Sequence, residues 1–300
     1  MKNKTNPRFS IIIPCYNEEL YINDTLESLF KQDYKGKYEV IVVNNNSTDQ
    51  TVKIVKNYPV KLINEKQAGV CAARQAGTKI AKGEIIISTD ADTTFKPNWL
   101  SVIDEEFKEN KGIIALAGKC SYVSAPWWGK IYPYILFGYV QLSYLLFRSP
   151  AYITATNIAF YKTKFNGYNT SLTQGGDELA LLQQLKQKGK VKFKFNLTVY
   201  TSARRLKKGL WYNVFVSFFY YYLFAYHLNR LFNRTIIGPA PAYRKHNPKY
   251  LKLSPILGLF IVFILIGVFV TGRIRGSFEF TKDAYLIAKN AIHKIYLSIV

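Results

Sequence analysis

Short apolar runs recur through the first part of the chain, and turn-forming or polar residues follow each of them. The runs are rich in Val and Ile, as is typical of strands buried on both faces of a parallel sheet. They occupy residues 9–13, 38–43, 60–63, 84–88 and 113–118. Helical patterns lie between them, at 18–32 and 68–81. The alternation predicts an α/β domain, a mostly parallel sheet with helices on both faces.

Polar clusters follow three of the predicted strands, at the carboxyl ends where sheets of this kind bind ligands. They are PCYNEE after the first strand, NNNSTD after the second and STDADT after the fourth. In the last cluster, Asp90 and Asp92 directly follow a buried run. If the backbone stays extended, both carboxylates lie on one side, where they could hold a divalent cation, because hard cations prefer oxygen ligands. The alternative is a solvated turn, since Asp is common in loops.

The chain is strongly basic, and its charge is unevenly distributed. Lys and Arg number 41 against 19 Asp and Glu, which gives a formal net charge of +22. From Leu179 to Phe278 there is no acidic residue, while seventeen Lys and Arg occur there. Such an excess indicates an anionic partner, either nucleic acid, an acidic membrane surface or a phosphate-bearing substrate. The three cysteines are too few and too scattered for a disulfide framework or a zinc site.

Several segments of the second half suggest contact with a membrane. Residues 253–272 are uncharged, and at about 1.5 Å per residue a helix of this length matches a hydrocarbon core of about 30 Å. They predict a transmembrane helix, with a buried core helix as the alternative. Segments 131–147 and 210–228 are crowded with aromatic residues, which predicts helices in the cytoplasmic leaflet. The second could instead span the membrane, and the tail 281–300 resembles an amphipathic helix.

Four motifs in this order and spacing resemble family-two glycosyltransferases of the GT-A fold: SIIIPCYNEE, VIVVNNNSTDQT, AGVCAARQAG and STDADT. Residues 154–162 and 175–189 look like the acceptor-side segments of that family. The resemblance implies a Rossmann-like GT-A domain over residues 1–205, followed by a membrane-associated region over residues 206–300. It also implies transfer of a sugar from a nucleotide-sugar donor, with a UDP-sugar as the default.

The resemblance assigns roles to individual residues near the donor. It implies that Asp92 binds a divalent cation, Mg²⁺ or Mn²⁺, most directly, and that Asp90 contacts the ribose or shares the metal. The family has an acidic pair where this chain has Asn44 and Asn45. An amide both donates and accepts hydrogen bonds, so the identity of the nucleobase in the donor is left open. The residues that it places around the nucleotide sugar are Pro14, Tyr16, Glu18, Asn45, Arg74 and Asp90.

Simpler explanations exist for two of these donor-side residues. Glu18 suits the start of a helix, because the helix dipole favours acidic residues there. Arg74 lies among alanines, where its planar fork could reach phosphate oxygens, or it could be a surface arginine with its stem packed on the helix.

Asp177 and Glu178 open another predicted helix, where the dipole also favours acidic residues. The resemblance implies that Asp177 is the general base that takes the proton of the acceptor hydroxyl, with Glu178 as its substitute. The reaction would then be a direct displacement with inversion.

Other residues bear on the acceptor. The resemblance places Asn157 in the sugar and acceptor pocket, and we add Arg204 and Arg205, which could contact the diphosphate or the membrane. Processive members carry a Gln-x-x-Arg-Trp motif after the base, and residues 190–230 contain no match to it. We therefore expect transfer of one sugar rather than polymer synthesis.

The leading hypothesis is a membrane-attached enzyme whose catalytic domain lies on the cytoplasmic face. It would glycosylate a lipid or a lipid-linked glycan of the cell envelope, next to an anionic membrane surface. A nucleic-acid-binding protein is a weaker alternative, because the basic excess surrounds an uncharged run. A catalytically silent scaffold is the third, although Asp90, Asp92 and Asp177 are all present.

Overall fold

A computed structural model describes residues 6–171, 177–225 and 237. Strands and helices alternate through most of this part of the chain, as the apolar pattern predicts. In chain order, the elements are β1 (Phe9–Cys15), α1 (Ile22–Phe30), β2 (Tyr38–Asn44), α2 (Thr51–Val55), β3 (Lys61–Asn64), α3 (Val70–Ile80), β4 (Ile85–Ser88), β5 (Thr93–Thr94), α4 (Trp99–Glu109), β6 (Ile113–Val123), α5 (Trp127–Phe147), β7 (Ile158–Tyr161), α6 (Asp177–Lys188) and β8 (Lys190–Ser202). Short 3₁₀ turns occupy Lys162–Lys164 and Arg204–Lys208, and Tyr212–Ala225 is π-helical.

The eight strands form one sheet in the order β3-β2-β1-β4-β7-β6-β8-β5. Strand β1 pairs in parallel with β2 and β4, and β2 pairs in parallel with β3. Strand β7 is antiparallel to both β4 and β6, whereas β8 is parallel to β6 and antiparallel to β5. The sheet is therefore mixed, and the predicted mostly parallel arrangement holds only for its first half. Strand β7 runs opposite to β6 because α5 and the loop after it return the chain to the end of the sheet at which β6 finishes.

The parallel half brings the predicted ligand-binding segments to one edge. Strands β1, β2 and β4 end at Cys15, Asn44 and Ser88, and their central residues are fully buried. Helix α1 begins later than predicted, at Ile22. The preceding loop is held instead by Glu18, whose backbone N–H donates to Thr51 Oγ1 at 2.7 Å.

Helix α3 packs unusually close to the sheet, as its small residues predict. A methyl group at Gly77 would lie 2.6 Å from Ile12 Cγ2 and 3.0 Å from Val43 Cγ2. A larger residue at this position would force the buried side chains of Ile12 and Val43 to shift. The close packing carries Arg74, one turn earlier in the helix, toward the carboxyl ends of β1 and β4.

Helix α5 contains the predicted segment 131–147 and lies with one side against the sheet. Phe137 and Val140 are buried in the core. The opposite side carries large apolar side chains that are 49 to 69% exposed, namely Ile131, Ile135, Tyr139, Leu142 and Leu146.

The other predicted membrane segments are covered only in part. Of 210–228, residues 226–228 lie outside the described residues, as do all of 253–272 and 281–300. Within residues 6–171 and 177–225, none of the helices is long and apolar enough to cross a bilayer. The division into regions 1–205 and 206–300 stays a prediction.

Candidate active site

The loop from Thr89 to Asp92 carries the two adjacent carboxylates, and neighbouring elements fix it from both sides. Thr25 Oγ1 of α1 donates a hydrogen bond to the Ala91 carbonyl oxygen at 2.9 Å. On the other side, the Ser202 N–H donates to the Asp92 carbonyl oxygen at 3.1 Å, and β5 pairs with β8 directly after the loop. The ends of β1, β4 and β8 therefore converge on this loop.

Asp90 is held by an arginine and a threonine. Its Oδ1 accepts a hydrogen bond from Arg74 Nη2 at 2.6 Å, and its Oδ2 accepts one from Thr156 Oγ1 at 2.7 Å. The Arg74 side chain is only 4% exposed, so it is not a surface arginine. The structure thus brings together two predicted donor-binding residues, and it adds Thr156, which the sequence analysis missed. Its hydroxyl in the segment TATN, next to Asn157, was the available signal.

Asp92 has a different arginine as its partner. Arg204 donates two hydrogen bonds to Glu18, from Nη1 to Oε2 at 2.6 Å and from Nη2 to Oε1 at 2.8 Å. The same Nη2 lies 3.0 Å from Asp92 Oδ2. Thr201 Oγ1 donates to Asp92 Oδ1 at 3.2 Å. The side chains of Glu18 and Asp92 are 4 and 10% exposed, so one guanidinium links two nearly buried carboxylates.

The charges in this cluster shift the titration of their neighbours. Burial, together with the nearby carboxylates of Asp90 and Glu18, raises the pKa of Asp92 to about 6 against the lowering effect of Arg204. Burial alone would lower the pKa of Arg204, but the carboxylates of Glu18 and Asp92 outweigh it and raise this pKa. The raised pKa of Asp92 means that burial outweighs the single arginine beside it.

The two candidates for the general base lie at the start of α6. The helix begins at Asp177, but the side chain of Asp177 and residues 172–176 lie outside what the structure describes. Glu178 Oε1 accepts a long hydrogen bond, 3.4 Å, from the Tyr152 hydroxyl. The role of either carboxylate in proton transfer stays a prediction.

Comparison with known proteins identifies the family. A sequence model of glycosyl transferase family 2 matches residues 10–174, more than half of the chain. The chain belongs to glycosyl transferase family 2.

Curated relatives and solved structures agree with this family. The poly(ribitol-phosphate) beta-N-acetylglucosaminyltransferase TarS of Staphylococcus aureus is 41% identical over 92 residues, which are 28% of this chain and 16% of TarS. The crystal structure of TarS residues 1–349 with UDP has a TM-score of 0.54 at 22% identity and covers 67% of this chain and 62% of that one. The mannosyltransferase PcManGT of Pyrobaculum calidifontis, in complex with GDP-Man and Mn²⁺, has a TM-score of 0.56 at 18% identity, covering 98% of this chain and 83% of that one. The fold is thus of the GT-A type, as the motifs predict.

A divalent cation fits the donor set of this family 2 site. Within the described ranges, no group of three or more His, Cys, Asp or Glu side chains is placed to hold a metal ion. Mg²⁺ rarely needs such a cage, because it is commonly held by one or two carboxylates together with substrate phosphates and water. Asp92 offers one such carboxylate. Asp90 retains lone pairs beyond the two that accept from Arg74 and Thr156, so it could share the ion.

Asn45, predicted to contact the nucleotide, uses its amide inside the protein. Its Nδ2 donates to the carbonyl oxygens of Glu65 at 2.8 Å and Gln67 at 2.7 Å, and its Oδ1 accepts from the Gly69 N–H at 2.9 Å. Gly69 has φ of +130° directly before α3, a conformation that glycine tolerates. Asn45 therefore fixes the entrance to α3, and through that helix the position of Arg74. Its predicted contact with the donor would be indirect.

Asn157 likewise binds the protein rather than an open pocket. It is 1% exposed. Its Oδ1 accepts from Trp99 Nε1 at 3.1 Å, and its Nδ2 donates to the carbonyl oxygens of Lys119 at 3.0 Å and Leu197 at 2.8 Å. It links α4, β6 and β8 behind the site, so it would shape the pocket by positioning Thr156 next to it.

The remaining predicted residues lie around the edge of the site. Pro14 is half-buried near the end of β1, and Tyr16 is half-buried in the following loop. That loop is tied to the β2 loop, because Asn17 Oδ1 accepts from the Thr48 N–H at 2.7 Å. The structure separates the two predicted arginines, since Arg204 lies in the carboxylate cluster while Arg205 is exposed.

Proposed function

We propose that this protein transfers one sugar from a nucleotide-sugar donor, by default a UDP-sugar, to a lipid or a lipid-linked glycan. The observation that carries the donor site is the pair Asp90 and Asp92, each bound to its own arginine at the carboxyl ends of β1 and β4. Arginines match a diphosphate, and carboxylates match the cation that accompanies it. The UDP bound to TarS and the GDP-Man with Mn²⁺ bound to PcManGT support such a donor in a fold of this type.

The proposed reaction is a single displacement with inversion at the anomeric carbon. Asp177, or Glu178 in its place, takes the proton of the acceptor hydroxyl while that oxygen attacks the sugar. Arg74 holds Asp90 in position for the donor, and Asn45 holds the loop from which α3 starts. Asp92, with Asp90 as a second ligand, would hold a divalent cation, which neutralises the charge that develops on the leaving nucleoside diphosphate.

Binding of a nucleoside diphosphate tests the donor site directly. UDP and GDP are titrated calorimetrically into the full-length protein in detergent, with Mg²⁺ or with EDTA. We expect EDTA and Asp92→Asn each to weaken binding at least about tenfold, or ~1.4 kcal/mol. Asp24→Asn is the control, because it removes one charge from an exposed position of α1 and should leave binding unchanged. Equal affinity with Mg²⁺ and with EDTA would exclude the metal, and no binding of either nucleotide would exclude the donor site.

We propose also that the protein works at the cytoplasmic face of a membrane in cell-envelope glycan or glycolipid synthesis. Support comes from the exposed apolar side of α5, where Ile135 and Leu146 are 69 and 66% exposed. Such a face is unfavourable in water and favourable at the boundary between headgroups and acyl chains. The exposed cations Lys130 and Arg148 lie at the two ends of this apolar side. The predicted anchor at 253–272 would hold the protein to the same membrane.

A further inference from the structure

The 3₁₀ turn Arg204–Lys208 joins the carboxylate cluster to the exposed helix α5. At its start, Arg204 binds Glu18 and Asp92. Two residues later, Leu206 is buried against the first turn of α5, where a methyl group at Gly129 would lie only 2.7 Å from Leu206 Cδ1. The turn thus touches both sites that the proposed function uses.

The same turn is tied to the segment that follows it. Asn213 Nδ2 donates to the carbonyl oxygens of Arg205 at 3.1 Å and Gly209 at 2.8 Å. Within the turn, the N–H groups of Leu206 and Gly209 donate to the carbonyl oxygens of Ala203 at 2.8 Å and Leu206 at 3.0 Å. A shift of the Arg204 backbone would therefore reach the rest of the turn and Asn213, at the start of the π-helical segment.

A divalent cation on Asp92 would lie close to the guanidinium of Arg204 and compete with it for the carboxylate. Arg204 Nη2 lies 3.0 Å from Asp92 Oδ2, and a divalent cation would bind that carboxylate at about 2.0–2.2 Å. The two cations would then stand within a few ångströms of each other in a nearly buried site, where like charges repel strongly. The Glu18 backbone is tied to Thr51 Oγ1, and its carboxylate accepts from both Nη atoms of Arg204. Relief of the repulsion therefore requires the guanidinium to move away from Asp92.

We propose that Arg204 is an internal cation that occupies Asp92 until a divalent cation displaces it, and that this displacement shifts the turn 204–208 against α5. This inference rests on the proposed metal-dependent donor site. It makes Arg204 a positioning residue that couples donor loading to the helix whose apolar side faces the membrane. In the absence of metal, the same arginine keeps the buried carboxylates of Glu18 and Asp92 paired.

Metal affinity without nucleotide is the first test. Free Mn²⁺ is followed by electron paramagnetic resonance during titration of the full-length protein. Because Arg204 competes with the metal, Arg204→Gln should bind Mn²⁺ about tenfold more tightly than the wild type, and Arg204→Lys should show a smaller gain, since an ammonium group cannot form the forked contact. Lys207→Gln is the control, because it removes one charge from an exposed residue of the same turn. Unchanged or weaker binding in Arg204→Gln would overturn the inference.

Hydrogen exchange of the wild-type protein is the second test, and it needs no variant to fold. Addition of Mn²⁺ and UDP should speed exchange of the Leu206 and Gly209 amides, while the amides of α4 keep their rates. Slower or unaltered exchange of the two amides in protein that demonstrably binds Mn²⁺ and UDP would overturn the displacement alone. Wild-type protein that binds no Mn²⁺ even with saturating UDP would overturn the metal site of the proposed function, and the inference with it.

Discussion

Asp90 and Asp92 lie two residues apart, yet their carboxylates accept hydrogen bonds of different length. Asp90 accepts two short hydrogen bonds, at 2.6 and 2.7 Å. The contacts of Asp92 are longer, 3.0 Å to Arg204 and 3.2 Å to Thr201, and burial raises its pKa to about 6. An incoming cation would therefore replace the partner of Asp92 more readily than that of Asp90. The roles of the two carboxylates, with Asp92 as the more direct metal ligand, stay a prediction.

Replacement of Asp177 separates binding from chemistry. Asp177→Asn keeps the shape of the side chain but cannot take a proton, so UDP binding should stay at the wild-type level while turnover falls by about 10²–10⁴. Turnover is measured as UDP release from UDP-sugars in the presence of a total lipid extract. Glu178→Gln is the matched variant. If it loses turnover while Asp177→Asn does not, the base is Glu178, and full turnover in both variants would contradict a carboxylate base at this helix start.

The sequence could predict which residues approach the site, but not which of them face a ligand. Strand ends, helix periods and the order of motifs bring Arg74 close to Asp90, as observed. Asn45 and Asn157 belong to the same motifs, yet both are bound by protein groups at least 20 residues away in the chain. The sequence pattern is the same whether an amide faces a ligand or binds other protein groups. Its partners are set by tertiary packing rather than by neighbours in the chain.

Strand β8 shows the same limit at the scale of an element. Its basic residues belong to the acid-free part of the sequence, whose excess of positive charge indicates an anionic partner. In the structure, Lys192 and Lys194 Nζ lie 2.6 and 2.5 Å from the carboxylate of Glu106 on α4, whose side chain is 7% exposed. Part of the basic excess is therefore neutralised by acids from the first half, and these contacts fasten α4 to β8.

The contact between α4 and β8 should give stability that depends on pH. Burial raises the pKa of Glu106, but the two lysines outweigh it and hold this pKa below its usual value of 4.5. A lowered pKa in the folded state stabilises the protein above the unfolded pKa, and the gain is lost as the pH falls through the folded one. Glu106→Gln should thus lower the free energy of unfolding by about 1–3 kcal/mol at pH 7, and the difference should shrink below about pH 4.5.

Urea unfolding of both proteins at pH 7, 5 and 3 measures this dependence. Glu105→Gln is the control, because it removes the adjacent carboxylate from an exposed position of α4 and should change little at any pH. A loss of stability in Glu106→Gln that is equally large at pH 3 and pH 7 would point to packing rather than to charge.

For the molecule as a whole, the distribution of exposed charge decides which side can meet a membrane. Arg204 in the site and Lys192 and Lys194 of β8 are paired with acidic residues, so they contribute little to attraction. Lys130 and Arg148 are exposed beside α5, and Arg205 and Lys207 are exposed in the turn whose Leu206 packs on Gly129 of α5. Charge near an anionic leaflet adds about 1 kcal/mol per Lys or Arg. The exposed apolar side of α5 therefore has exposed cations next to both of its ends.

A fluorophore on α5 should report contact between this side and lipid. The three native cysteines are buried, so single cysteines introduced by Ile135→Cys or Leu146→Cys can be labelled in the full-length protein with an environment-sensitive dye. Leu20→Cys is the control, because Leu20 is also exposed, by 56%, but lies on the loop before α1. In liposomes with anionic lipid, the emission of the dye at 135 or 146 should shift to the blue and be quenched by lipids that carry a doxyl group on the acyl chain, while the emission of the dye at 20 should not.

A blue shift that occurs without doxyl quenching and depends on protein concentration would instead identify a second copy of the chain as the partner of α5. Equal quenching at 20 and 135 would remove the basis for orienting the molecule with α5 toward the membrane.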